Sequence, residues 1–201
     1  MDIVLASSNV GKIKEFKLIL EGLNVSIIPQ GEFGIDSAEE TGQTFLENAL
    51  IKARHASELA SLPAIADDSG LEIDCLNGAP GIFSARFAGE DSSDNDNNEY
   101  LIERLKNIPI EKRTARYHCT IVYLEHPAHS NPIICQASWE GIIAKECFGT
   151  GGFGYDPLFI AKESGLRASE FTPAEKNKIS HRGQAMAKLL CALTTRTMRS
   201  E

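Results

Sequence analysis

Ile3-Val4-Leu5-Ala6 is an unbroken apolar run, followed at once by Ser7-Ser8-Asn9. Val10, Ile13, Phe16 or Lys17, and Leu20 then recur at helical spacing. A strand that is apolar at every position is buried on both faces, which requires layers of structure above and below it. Hydroxyl and amide side chains cap the helix that follows, and Gly22 reads as its stop. Strand, capped turn and helix in that order open an α/β domain.

The remaining pattern agrees with that opening. Val25 to Ile28 reads as a second strand. Thr44-Phe45-Leu46-Glu47 is a capping box, and Leu46, Ala49, Leu50, Ala53 and Ala60 carry an apolar stripe to about residue 62. Ala64-Ile65-Ala66 is a short buried strand that is expected to end in the turn Asp67-Asp68-Ser69-Gly70. Leu71, Ile73 and Cys75 alternate with polar residues, and Gly78-Ala79-Pro80-Gly81 turns the chain. Residues 89–99 read as an acidic, solvated loop before a helix with Tyr100, Leu101 and Leu105. Tyr117–Leu124 and Ile133–Trp139 are strong strands joined by a Pro/His/Asn loop, hence an antiparallel pair. Thr172-Pro173-Ala174-Glu175 starts a short helix, and a last helix runs from His181 to about Leu193 behind Ser180. With no repeat, linker or composition break, residues 1–201 read as one α/β domain on a mixed sheet.

The chain has 201 residues and a formal net charge of −8. At about 150 residues per domain that is one large unit, long enough to bury about 70% of its extended surface without a disulfide or metal staple. The acidic balance with no basic block speaks against nucleic acid and anionic membrane as partners. Five cysteines, widely spaced and without a CxxC pair, suit reduced thiols in a cytoplasmic protein. No apolar run is long enough to span a membrane, and the N-terminus lacks a signal peptide's basic and apolar regions.

Ligands of open α/β sheets bind beyond the carboxyl ends of strands, and four such places carry chemistry. The turn Ser7-Ser8-Asn9-Val10-Gly11-Lys12 offers backbone N–H groups, a helix N-terminus and an ammonium to a phosphate, although it is no Walker A loop. Glu39-Glu40-Thr41-Gly42 precedes the helix that carries Lys52, an isolated cation on an alanine-rich stretch. Asp67-Asp68-Ser69-Gly70 puts two carboxylates directly after a buried strand, which is costly unless they are hydrogen-bonded or hold a cation; such oxygens suit Mg²⁺. Gly149 to Pro157 interleaves Phe153 and Tyr155 with glycines, so that rings could stack on a flat base. His181 and Arg182 stand in the first turn of the last helix, where the dipole disfavours cations unless an anion lies beside them. Together with Lys12, Lys52 and Lys176 they are expected to converge on one highly charged ligand. No nucleophile elbow is present.

These segments, taken in order, resemble the inosine triphosphate pyrophosphatase family in its bacterial dITP/XTP pyrophosphatase form. The resemblance is carried by residues 4–16, 36–57, 65–91, 149–159 and 174–186, with Gly-Gly-Phe-Gly-Tyr-Asp-Pro and Ser-His-Arg as the most specific pieces. It implies an elongated mixed sheet with flanking helices, two lobes with the active-site cleft between them, and a homodimer. It also implies Mg²⁺-dependent hydrolysis of deaminated purine nucleoside triphosphates (dITP, ITP, XTP) to monophosphate and pyrophosphate, which clears them from the nucleotide pool. On the matching positions, Ser7, Ser8, Asn9, Val10, Gly11, Lys12 and Lys52 would hold the triphosphate. Glu40 and Asp68 would bind Mg²⁺, with Asp68 also accepting the proton of water, and Ser69 would touch substrate. Phe153 and Tyr155 would sandwich the base, and Gly154, Asp156, Lys176, His181 and Arg182 would complete the pocket. Arg182, a pure donor, is expected to face purine O6. One departure stands out: Ser7-Ser8 replaces the Thr-Gly frequent in the family. Two other readings share some of these groups. A phosphohydrolase of different base preference would keep the carboxylates and lysines, and a nucleotide sensor would have no use for Asp68 at a metal.

Overall fold

The computed structural model describes residues 2–21 and 25–197. Six strands form one sheet: β1 (Asp2–Leu5), β2 (Ser26–Pro29), β3 (Ala64–Ile73), β4 (Thr114–Leu124), β5 (Ile133–Ile143) and β6 (Phe159–Ala161). Their order is β2-β1-β3-β4-β5-β6. β1 pairs parallel with both β2 and β3, and β5 pairs antiparallel with β6. The cross-strand bonds Thr120–Gln136, His118–Ser138 and Arg116–Glu140 run in opposite senses along β4 and β5, the antiparallel hairpin expected from sequence. The sheet is therefore mixed. Five helices accompany it: α1 (Val10–Ile19), α2 (Phe45–Ala60), α3 (Asp94–Leu105), α4 (Pro173–Ile179) and α5 (His181–Thr197).

Local signals explain most of these boundaries. Asn9 caps α1 by accepting from the Lys12 N–H at 3.0 Å, and Thr44 with Glu47 closes the capping box of α2. Gly22, the expected stop of α1, lies outside the described residues. Three expectations are corrected. The acidic stretch 89–99 is not a loop throughout: Ser93 and Asp96 form a capping box, and α3 begins at Asp94. A helix start favours acidic side chains and Asn/Ser caps, so the same composition that suggested solvation also suits a first turn. Asp67 and Asp68 do not end a strand either, since β3 continues through them to Ile73. Cys75, expected in a strand, falls in a short 3-10 turn at Asp74–Leu76.

The chain gathers into two compact units. Unit 1 comprises residues 1–68, 119–137 and 182–201, and unit 2 comprises residues 69–118 and 138–181. Unit 1 has a core on each side of its strands. Ile3, Leu5 and Ile65 pack with Phe16, Ala185, Met186 and Leu189 of α1 and α5. Val4, Ala6, Ala64 and Ala66 pack with Ala49, Ala53 and Ala56 of α2. Odd and even strand positions thus go to opposite layers, the period-two rule of a pleated strand. Unit 2 builds its core from Leu71, Ile73, Leu101, Leu105, Trp139 and Phe159. Among the described residues no helix is long and apolar enough to cross a membrane.

Phe16 is fully buried on α1 while Lys14 of the same helix is exposed. Phe16→Ala should destabilise the protein by about 3–5 kcal/mol, whereas Lys14→Ala should stay within about 0.5 kcal/mol of wild type. Urea midpoints of the two variants check both figures.

Candidate functional site

Two clusters of polar side chains stand out, one in each unit. In unit 1 the organising element is β3. Asp67 follows Ile65 toward the α1/α5 layer, and Asp68 follows Ala64 and Ala66 toward the α2 layer. Each carboxylate meets a different set of cations. Asp67 accepts from Arg182 Nε at 3.2 Å and Nη2 at 3.1 Å, and its Oδ2 lies 3.0 Å from Lys12 Nζ. Arg182 Nη1 also bonds Glu15 Oε2. Asp68 Oδ1 accepts from Lys52 Nζ at 2.7 Å, and the same ammonium reaches Glu40 Oε1 at 2.8 Å.

The electrostatics follow from that division. Burial pushes the Asp67 carboxyl up, but Lys12, Arg182 and Lys52 outweigh it and hold the group well below the usual carboxylate range. Burial also dominates at Asp68, where the attraction of Lys52 and Lys12 does not overcome it, and the carboxyl is raised above its ordinary value. Burial works to lower Lys52, yet Asp68, Asp67 and Glu40 turn the net shift upward and keep it charged. The guanidinium of Arg182, 1% exposed, is stabilised in its charged form by Asp67 and Glu15 against the cost of burial. Cys119, buried near this network, has its thiol pushed up to about 12 by burial and then by the charge of Asp67.

Around this network lies the turn before α1. Ser7 Oγ accepts from Asn9 N–H at 3.2 Å. Ser8 Oγ bonds Ser37 Oγ at 3.1 Å and accepts from the buried Gln30 Nε2 at 3.3 Å. The extra hydroxyl at position 8 therefore ties the turn to the segment that leads to Glu40. Ser8, Asn9 and Val10 are exposed; Ser7, Gly11 and Lys12 are half-buried.

Unit 2 holds the second cluster, built on the glycine-rich loop. Asp156 is buried and does three things. Its Oδ2 accepts from Lys176 Nζ at 2.6 Å and from the Phe153 N–H at 2.9 Å, and its Oδ1 accepts from the Tyr117 hydroxyl at 3.3 Å. A Cβ at Gly152 would stand 1.9 Å from Asp156 Oδ2, so only glycine allows this approach. Lys176 Nζ sits 4.7 Å from the centroid of the Phe153 ring, covering one of its faces. The His181 ring stacks on Tyr117 with centroids 4.6 Å apart. Ser69, half-buried on β3, belongs to the same unit.

Tyr155 and the basic side chains have internal partners of their own. Tyr155 is 3% exposed, belongs to the core of unit 2 and donates its hydroxyl to the Ser84 carbonyl at 2.8 Å. Its ring packs in that core, and burying a tyrosine that finds a hydrogen-bond partner is favourable. The basic side chains each have a partner inside the protein. Lys12, Lys52 and Arg182 lie in unit 1 and Lys176 in unit 2, each ion-paired to a carboxylate, while His181 stacks on an aromatic ring. Charged groups removed from water demand such partners. The anion expected beside the start of α5 is therefore internal, namely Asp67 and Glu15. Glu15 was not singled out from sequence. The available signal was a carboxylate in register with Lys12 and Phe16 on the buried face of α1, at a spacing that shares one helical stripe.

Asp68 Oδ2 is buried and has no hydrogen-bond partner among the described residues. An orphaned carboxylate oxygen beside a second carboxylate suits a hard cation that takes one or two protein carboxylates and draws its other ligands from water or phosphate. Among the described residues no cluster of three or more His, Cys, Asp or Glu offers a complete cage. The donor set thus fits Mg²⁺ better than a structural metal.

Asp67→Asn leaves Lys12 and Arg182 short of one buried counter-charge and should cost about 3–5 kcal/mol at neutral pH. The folded-state carboxyl is depressed, so its contribution is present above the unfolded pKa of about 3.9 and fades as pH falls below it. Denaturant melts of wild type and variant between pH 7 and pH 3 should therefore show the stability gap shrinking toward acid.

Comparison with known proteins adds a family. The Ham1 family profile matches residues 3–192. A dITP/XTP pyrophosphatase of Escherichia coli (strain K12) is 53% identical over 191 residues, covering 95% of this chain and 97% of that protein. One from Pectobacterium atrosepticum is 52% identical over the same length. Among solved structures, a HAM1 protein from Coxiella burnetii superposes with a TM-score of 0.89 at 47% identity, covering 97% of this chain and 99% of that one. The Ham1 protein of Staphylococcus aureus gives 0.85 at 38% identity, covering 98% and 100%. With a profile and relatives of this identity spanning nearly all of its length, the chain belongs to the Ham1 family.

Proposed function

We propose that this protein is a Mg²⁺-dependent nucleoside triphosphate pyrophosphatase that converts dITP, ITP and XTP to their monophosphates and pyrophosphate. Its role would be to remove deaminated purine nucleotides from the cytoplasmic pool, as a homodimer without nucleic acid or membrane partners. The observation that carries the chemistry is Asp68: a buried carboxylate whose Oδ1 is held by Lys52 while Oδ2 has no hydrogen-bond partner among the described residues. The relatives' printed names supply the substrate class.

In this reading the turn Ser7 to Lys12, together with Lys52, holds the triphosphate through backbone N–H groups and ammonium charge. Glu40 and Asp68 would hold Mg²⁺, which when bound supplies positive charge against the phosphate oxygens. Water attacks the α-phosphorus, the bond from that phosphorus to the bridging oxygen breaks, and pyrophosphate leaves. Asp68 takes the proton of the attacking water. Lys52 keeps the carboxylate oriented. In unit 2, the Phe153 ring stacks on the base, while Asp156 holds the Phe153 N–H and Lys176 in place. Ser69, Tyr155, His181 and Arg182 complete the proposed substrate set.

Asp68→Asn should lower kcat for ITP by at least about 100-fold while nucleotide affinity changes little. Ion chromatography of products, with pyrophosphate expected in place of free phosphate, checks both the step and the bond cleaved. Pyrophosphate release near the wild-type rate would remove Asp68 from the mechanism. Parallel assays with XTP, dUTP and ATP separate this reading from a pyrimidine-directed enzyme. Arg182→Ala should shrink the ITP-over-ATP ratio of kcat/KM, because a base carrying an amino group at position 6 meets a donor with a donor. An unchanged ratio would leave the guanidinium as the internal tie between Asp67 and Glu15.

A further inference from the structure

The start of α3 belongs to no part of the chemistry described so far, yet it grips the glycine-rich loop at a single residue. Asp94 Oδ2 accepts from the Gly154 N–H at 2.7 Å. Asn98, one helical turn later and 4% exposed, donates Nδ2 to the Gly154 carbonyl at 2.8 Å. The same amide nitrogen also donates to the Asp94 carbonyl at 2.7 Å, which locks its rotamer onto the helix. Both polar groups of Gly154 are therefore held by one helix face. Gly154 has a φ of +60°, a conformation that a side chain would strain.

Phe153 immediately precedes this residue. Its own N–H is held by Asp156 Oδ2 at 2.9 Å, so carboxylates grip the backbone N–H groups on both sides of the Phe153 Cα. With those two points fixed, the Cα–Cβ direction of Phe153 is fixed as well, and Lys176 already covers one face of the ring. A second brace closes the frame. Asn97 accepts from the Ala88 N–H at 2.8 Å and donates to the Ala85 carbonyl at 3.1 Å, and the neighbouring Ser84 carbonyl receives the Tyr155 hydroxyl. Adjacent asparagines of α3 thus hold the residues on either side of the Ser84–Tyr155 link.

We infer that Asp94 and Asn98 are positioning residues for base recognition: by clamping Gly154 they set the direction of the Phe153 ring. The inference rests on the nucleotide reading above, in which Phe153 stacks on the purine. Asn98 acts as a donor and Asp94 as an acceptor, so the two roles respond oppositely to isosteric changes. Asn98→Asp keeps the shape and removes the donor. Asp94→Asn keeps an acceptor oxygen, whereas Asp94→Ala removes it.

Two measurements on the full-length protein test this. In hydrogen–deuterium exchange without nucleotide, Asn98→Asp and Asp94→Ala should speed exchange at Phe153 and Gly154 by about tenfold, the equivalent of one lost hydrogen bond. In steady-state assays with ITP, the same variants should raise KM by about tenfold with kcat within about threefold. Asp94→Asn should raise KM far less than Asp94→Ala. Unchanged exchange at these two amides overturns the clamp itself, whatever the enzyme hydrolyses. Faster exchange with an unaltered KM for ITP overturns the aiming role, and a loss of thermal stability with kcat and KM both unchanged reduces the contacts to structural ones. If wild type releases no pyrophosphate from ITP, the exchange arm still decides the clamp, and the nucleotide reading fails separately.

Discussion

Unit 1 depends on the placement of two consecutive aspartates inside a buried strand. Neighbouring strand positions face opposite sides, so Asp67 and Asp68 cannot share one counter-ion arrangement. Each must be neutralised on its own side. Lys12 and Arg182 come from α1 and α5 to meet Asp67, and Lys52 comes from α2 to meet Asp68. The helices that supply apolar side chains to the two cores thus also supply the cations that make the charged stretch of β3 tolerable. Had β3 ended at Ala66, none of those pairings would be required.

The two carboxylates end with different properties because their surroundings differ. Asp67 is enclosed by cations, depressed in pKa and shared with a guanidinium that Glu15 also holds. Asp68 pairs with the Lys52 ammonium, which Glu40 shares, and remains raised with an oxygen that has no hydrogen-bond partner among the described residues. One holds a network together, and the other is left with burial outweighing its cations. Divergent environments for paired titratable groups are how such sites divide labour.

In unit 2, Asp156 plays a role comparable to that of Asp67. It neutralises a buried lysine and fixes the main-chain N–H of Phe153. Asp94 repeats that hold on the next amide from a different element. The glycine-rich loop is therefore shaped by acceptors reaching in from its own C-terminal end and from α3, while its glycines permit the close approach.

The sequence by itself determined the things that depend on short-range pattern. The apolar run at Ile3–Ala6, the capped helix after it, the capping box at Thr44 and the β4–β5 hairpin are all local, and each forms as its pattern dictates. The candidate residues were legible too, because carboxylates after an apolar strand and rings among glycines are unusual pairings of residue type with position. Only the tertiary structure decided which partners those residues take. That β3 runs on through Asp67 and Asp68 depends on cations from residues far away in the chain. That Glu15 belongs to the network depends on Arg182, and that Asp94 and Asn98 hold Gly154 depends on α3 starting early and lying against the loop. Buried charges and unpaired backbone groups are stable only when a partner reaches them, and such partners come from distant segments whose spacing leaves no local periodicity to read.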